Sequence, residues 1–506
     1  MRNNIIYNTI ILSVLLLISL IIFTISGNNT NTYYISTYNI SYPIICYNIL
    51  IFLLLGYSIF LQKGELFLRK RSYIQLNIFF WIFYFIIYYK PYIPFIFEEY
   101  IQESTFISRQ FIEQSNKALT ASTIGFISFM LGTSMKIKIK RVYNSPSTDC
   151  QTSKILLIIS TIAVLFFGIS FIPKATSMIA SSYSGSEFTD LNDTINYFFL
   201  QFFLSISAIN LLYQYIRKKN KPLFIYFSAI IYIIFTSLIL LTGDRSGFIM
   251  LIIVPIFIFS HYIYKLNFKY IIIGGFIIYL GYNFIEVFRT MEHFSIDEYQ
   301  NIVEKRKEIH GNDSSFNNTT TVTRSAFYYI DNLNQPHSYG KYSVIAALRA
   351  IPFGITTFFP DEKHYGTASI LTNVCHSNFS LGSSIIAESY IEFGIIGVIV
   401  YMFLIGLLVN YFTQKLTSNK YGLLEISIYT ILLSTIIILP RYTPALIIRT
   451  TIWTYLLLKT TRFFVNHEKN LLHSSFSIKR RSRKTIRYPY GSVSISRLRR
   501  NTHNIQ

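Results

Sequence analysis

Charge is what this 506-residue chain has least of: only 14% of its residues are Asp, Glu, Lys or Arg, against roughly 25% in soluble domains. That shortage excludes an ordinary soluble chain of this length, which would split into domains joined by polar linkers. Cysteine is scarce too. Cys46, Cys150 and Cys375 fall in three different segments with no CxxC spacing, which excludes a disulfide framework and a metal knuckle. Also missing are a P-loop, a GxGxxG loop, an HExxH helix and any defensible Ser/His/Asp pattern. The sequence therefore gives no reason to expect ATP coupling, a metal or a cofactor.

What fills the space is apolar. Hydrophobic residues make up 52% of the chain and the mean hydropathy is +0.41. Apolar runs near 20 residues long recur throughout, each long enough to cross a hydrocarbon core of about 30 Å as a helix. Spans are expected near 5–26, 44–61, 74–89, 119–135, 155–172, 193–216, 222–242, 247–264, 270–288, 386–409, 421–439 and 445–464. The first is too apolar and too long for a typical signal-peptide core, and no small-x-small cleavage site follows it. The expected fold is an all-α polytopic integral membrane protein with about a dozen helices.

The net charge of +21 could suggest nucleic acid, but its placement argues for topology instead. Lys and Arg cluster after the even-numbered spans: Lys63, Arg69, Lys70 and Arg71; Lys136, Lys138, Lys140 and Arg141; Arg217, Lys218, Lys219 and Lys221; Lys265 and Lys269; Lys415 and Lys420. The tail adds Lys479-Arg480-Arg481, Arg483-Lys484 and Arg497 to Arg500, whereas 27–43 has no positive charge and 173–192 only Lys174. The positive-inside rule then puts both termini in the cytoplasm. The organisation that follows is nine spans over 1–288, a large outer loop over 289–385, three spans over 386–464 and a basic cytoplasmic tail over 465–506.

Loops longer than about 15 residues are usually functional or disordered, so 289–385 stands out. Its polar part near 295–320 is expected to be mobile. Lys341 to Phe353 has apolar residues at helical spacing and Pro352 at its end, which predicts a short helix on the outer interface.

Ionisable residues in or beside spans are expensive and mark candidate sites. Thr242-Gly243-Asp244-Arg245-Ser246-Gly247 forms a tight outer turn. It holds a guanidinium suited to bidentate phosphate recognition, or an ordinary interfacial Arg paired with Asp244. Glu388 and Glu392 open the tenth span at i, i+4 spacing, on one helical face. They either line a cavity as a base or sugar-hydroxyl binder, or sit solvated at a helix start that favours acids. His376 is a candidate proton acceptor. Arg324 and Arg349 in the large loop could add positive charge for a pyrophosphate. Asp244, Arg289, Glu392 and Arg441 are secondary candidates, and Arg449 inside the last span needs a partner or a cavity.

Three stretches resemble the Wzy-type O-antigen polymerases: the turn around Arg245; the loop from Tyr339-Gly340-Lys341-Tyr342-Ser343 through Arg349-Ala350-Ile351-Pro352 to Phe359-Pro360-Asp361-Glu362-Lys363; and Gly382 to Gly397. The resemblance is good over roughly 240–400. It implies a multi-span fold with a large periplasmic loop. It also implies transfer of a glycan from undecaprenyl diphosphate to an acceptor hydroxyl at the periplasmic face of the inner membrane, without a metal. Arg245 looks like the residue that engages the diphosphate, and Cys375-His376-Ser377-Asn378 is similar to the His-Asn motif of O-antigen ligases, with Ser377 in place of the Asn. The partners implied are the undecaprenyl-diphosphate-linked oligosaccharide, membrane lipid, a chain-length regulator and a flippase. An O-antigen ligase is the nearest alternative. A flippase or other transporter is the rival from another class, although transporters typically carry internal repeats and this chain shows none.

Overall fold

The computed structural model describes residues 2–26, 41–61, 76–93, 111, 114–138, 146–180, 191–217, 222–242, 244–262, 300–301, 317–349, 367–376, 382–418, 422–442 and 444–484. Among these the secondary structure is helical, with no β-strand. Along the first half run α1 (Arg2–Ser26), α2 (Tyr42–Leu61), α3 (Leu76–Tyr88), α4 (Ser115–Ser134), α5 (Pro146–Ala180), α6 (Leu191–Arg217), α7 (Leu223–Leu241) and α8 (Arg245–Tyr262). The large loop contributes α9 (Asn317–Asp331), α10 (Lys341–Arg349) and α11 (Thr367–Val374). Then follow α12 (Ile385–Ser418), α13 (Leu423–Ile438) and α14 (Pro444–Lys484).

Helices stand where eleven of the spans are expected; the ninth, 270–288, lies outside the described residues. Among the described residues, seven stretches are long and apolar enough to cross a membrane: Asn8–Ser26, Tyr42–Ile59, Thr148–Ser177, Asn196–Arg217, Leu223–Leu241, Ile385–Leu416 and Leu423–Arg441. Leu17, Ile21, Ile162, Phe166, Ile230 and Ile233 face outward on α1, α5 and α7, as helices bathed in hydrocarbon require.

Two elements depart from the sequence reading and a third is described only in part. The expected mobile stretch 295–320 overlaps α9, which begins at Asn317. The helix expected over 341–353 is present over Lys341–Arg349; 350–353, with the expected stop at Pro352, lie outside the described residues. The last helix does not stop near 464 but runs to Lys484. At 1.5 Å per residue its 41 residues reach about 60 Å, twice the hydrocarbon thickness.

At the centre lie α4 and α13, the latter buried along its whole length. Their hydroxyl residues turn back onto their own helices: Thr120, Ser122, Thr123 and Ser128 in α4, and Ser427, Thr430, Ser434 and Thr435 in α13, each donate to a carbonyl three or four residues earlier. Polar groups so satisfied can be buried without cost from unmade bonds. Against α4 packs α12, and the approach is backbone to backbone. A Cβ on Gly132 would stand 2.3 Å from the Phe403 carbonyl oxygen, and one on Gly406 2.2 Å from that of Phe129. Small residues at a helix crossing give van der Waals contact where lipid offers no hydrophobic drive.

α12 is broken. Phe393 (φ −140°, ψ 18°) and Gly394 (φ 63°, ψ −150°) leave the helical range, the second in a conformation essentially reserved for glycine. The break splits α12 into a short arm, 385–392, and a long arm from 395 onward. It also releases carbonyls that a continuous helix would have used. The loop helices fill the space beside the short arm: α9, α10 and α11 all pack on α12, and α10 also meets α14.

Candidate functional site

Asp244 caps α8. Its Oδ1 accepts from the Gly247 amide at 3.0 Å and from the Ser246 hydroxyl at 2.7 Å, the bonding expected of an N-cap carboxylate. Its Oδ2 accepts from Gln201 Nε2 at 3.0 Å and from the Tyr197 hydroxyl, which ties the turn to α6. Gly247 has no room for a side chain, because a Cβ would lie 2.1 Å from Gln201 Nε2. These contacts explain the Asp-Arg-Ser-Gly order: the acid is an anchor, and Arg245 follows it as the first residue of a fixed helix end.

The same turn touches the one at 440–444. Ser246 Oγ lies 2.7 Å from the Tyr442 hydroxyl, and Arg441 beside it is exposed. Further along α14, the Arg449 guanidinium covers the Phe198 ring of α6 at 3.7 Å, a cation–π distance, and Phe198 adjoins Tyr197. The partner or cavity that Arg449 needs is thus, in part, an aromatic face. Three arginine-bearing segments meet here, at one end of the helix bundle.

From the 440 turn the connection continues to the short arm of α12. The Tyr88 hydroxyl donates to the Pro440 carbonyl at 2.7 Å and also lies against Ser384. Ser384 caps α12, its Oγ accepting from the Ala387 amide at 3.1 Å, and meets Thr323 Oγ1 of α9 at 3.1 Å. One residue along α9, Arg324 is only 3% exposed. Its terminal nitrogens reach Ser115 Oγ and Thr321 Oγ1, each at 3.4 Å. Near it the Cys375 thiol is pushed up by burial, an effect partly opposed by a hydrogen bond from Ser325 and by the Arg324 charge.

The two glutamates are buried, 2% and 0% exposed, so they are not the solvated acids of a helix start. They also do different work. Glu388 Oε2 accepts from Thr367 Oγ1 of α11 at 3.1 Å, and Thr367 in turn meets Ser383. Glu392 accepts from the Ser343 amide at 2.5 Å, the Ser343 hydroxyl at 2.7 Å and the Tyr401 hydroxyl. A buried carboxylate is tolerable only when its lone pairs are filled in this way. Since Ser343 lies in the first turn of α10, Glu392 pins that helix, the carrier of Arg349, to α12. Beside it Asp331 joins three elements, accepting from Tyr390 at 2.9 Å and pairing with Lys117 at 2.8 Å.

His376 sits apart from the carboxylates' contacts. It is exposed, on a left-handed turn (φ 48°) just after α11. Ser377, Asn378, Arg289 and the stretch 359–363 lie outside the described residues. The structure thus brings Arg245, Arg441, Arg324, Glu388 and the helix of Arg349 to one end of the bundle. The residues that sequence reasoning missed are Tyr197, Gln201, Tyr442, Tyr88, Thr367 and Tyr401. All but Tyr401, nine residues from Glu392, are remote in sequence from what they hold.

The class defined by these features is a multi-pass helical membrane protein whose arginine-bearing turns and buried carboxylates gather at one end of the bundle, beside a helical loop. No curated protein and no solved structure matches the chain. The family model for O-antigen polysaccharide polymerase Wzy matches residues 5–465, nearly the whole chain, and the protein belongs to that family.

Proposed function

We propose that this protein joins undecaprenyl-diphosphate-linked oligosaccharide repeat units into an O-antigen chain at the periplasmic face of the inner membrane. The topology of this reading has twelve spans, both termini in the cytoplasm and 289–385 outside. The observation that carries it is the polar chain Asp244–Ser246–Tyr442 and Pro440–Tyr88–Ser384. It ties the Arg245 turn to the cap of the arm bearing Glu388, which supports a joint role for the two segments.

The chemistry follows from the residue types. As the anomeric C–O bond breaks, the lipid diphosphate leaves with the bonding electrons and gains negative charge. Arg245, supported by Arg324 and Arg349, supplies the positive charge that stabilises it electrostatically. Glu388, with His376 as the alternative, takes the proton of the attacking sugar hydroxyl. Direct transfer of this kind inverts the anomeric carbon. A flippase supplies the donor on the outer face, and a separate chain-length regulator sets the end point.

Purified protein in lipid vesicles, given only the lipid-diphosphate-linked repeat unit, is expected to build a ladder of lipid-linked oligomers and release undecaprenyl diphosphate. Vesicles that consume no donor would overturn the proposal.

A further inference from the structure

His337 belongs to none of the sequence motifs, yet the break in α12 is built around it. Opening the helix at Phe393 and Gly394 exposes the carbonyls of Ile391 and Glu392, and the segment before α10 occupies both. The Ser338 amide donates to Ile391 O at 3.1 Å and the Tyr339 amide to Glu392 O at 3.0 Å. His337 Nδ1 lies 3.3 Å from the same Ile391 carbonyl. A carbonyl oxygen only accepts, so Nδ1 must carry the hydrogen, and in the neutral ring Nε2 then keeps its lone pair. The tautomer is fixed by backbone, not by a side chain that could rotate away.

The Nε2 edge of the ring lies beside Gly394, where a Cβ would stand 3.3 Å from both Nε2 and Cε1, so only glycine leaves that edge uncrowded. His337 is half-buried, and the segment that carries it joins α9, which bears Arg324, to α10, which bears Arg349. Among the described residues, these groups face it from the elements packed around it. Tyr390 of the short arm and Tyr339 of its own segment present ring edges at 6.2 and 6.3 Å. Asp331 of α9 is already engaged by Tyr390 and by Lys117 of α4, and Glu392 by Ser343 and Tyr401. Lys341 at the start of α10 is exposed.

We infer that His337 Nε2, rather than Glu388 or His376, is the catalytic proton acceptor of the transfer step. The inference rests on the polymerase reading and changes only the base within it, leaving Glu388 to bind sugar hydroxyls. The acceptor sugar hydroxyl gives its proton to Nε2 as its oxygen bonds to the anomeric carbon. The C–O bond to the diphosphate breaks with its electron pair, and the imidazolium then returns the proton to the departed diphosphate or to water.

The test uses full-length protein in vesicles with the lipid-diphosphate-linked repeat unit. His337→Gln keeps a side-chain N–H for the Ile391 carbonyl but supplies no base. The expected result is a fall in kcat of about 10²-fold or more, the usual worth of general base catalysis, with KM for the donor unchanged. The acid limb of the pH–rate profile, present in wild type, should be missing from the residual activity. His337→Ala should recover part of its rate when imidazole is added. A His337→Gln enzyme at wild-type rate with the same acid limb overturns the inference, as does His337→Ala that imidazole cannot revive. Wild-type vesicles that make no oligomer would instead sink the polymerase reading itself, so the two failures are distinguishable.

Discussion

Arg245→Ala is expected to abolish chain extension while leaving the protein in the membrane at its normal level. The structural reason for the second half is that Arg245 is not what holds its turn. Asp244 caps α8 and binds Gln201, Tyr197 and Ser246, and those bonds survive the change. The functional half follows from electrostatics. Losing one fixed donor aimed at developing charge costs about 10²–10³ in rate, and chain length compounds that loss at every addition. Arg245→Lys should fall between, because an ammonium keeps the charge but not the planar fork that matches a phosphate. Lipopolysaccharide gels and an immunoblot for the protein make the comparison. Wild-type chain lengths from Arg245→Ala at matched expression would remove Arg245 from the mechanism.

Glu392→Ala is expected to be nearly as damaging by a different route. It strips the acceptor from the Ser343 amide and takes one partner from the Ser343 and Tyr401 hydroxyls, which keep only each other; a donor left unsatisfied out of water costs about 1–3 kcal/mol. The penalty is relieved if α10 undocks from α12. Hydrogen exchange over 341–349 should therefore speed up markedly, and polymer synthesis should fall with it. Glu392→Gln retains one acceptor oxygen and should lose less on both measures. Unchanged exchange in Glu392→Ala would show that the carboxylate does not hold α10.

The membrane helices were legible because a bilayer imposes one rule, about 20 apolar residues per crossing, and α1, α2, α6, α7 and α13 obey it visibly. The break in α12 was not, since 386–409 reads as one uninterrupted span. Its release depends on loop amides of Ser338 and Tyr339 some 50 residues upstream. The candidate site divides the same way. Arg245 and the glutamate pair were visible because charge is scarce here and each remaining charge is conspicuous. Their meaning was not visible. Asp244 reads as a partner for Arg245, but its oxygens accept from the amide of Gly247 and from side chains of α6 and α8. Glu388 and Glu392 read as a matched pair, yet one faces Thr367 of α11 and the other pins α10. His376 drew notice through its likeness to a ligase motif and lies exposed. His337 drew none and is held by a carbonyl that only the break makes available.

The most direct test of the account is the lipopolysaccharide ladder of a strain lacking this gene. The account predicts core plus a single repeat unit, with every longer band gone: units made, exported and attached, but never joined. Core alone would point to a ligase or a flippase, and an unchanged ladder would contradict a role in O-antigen assembly altogether.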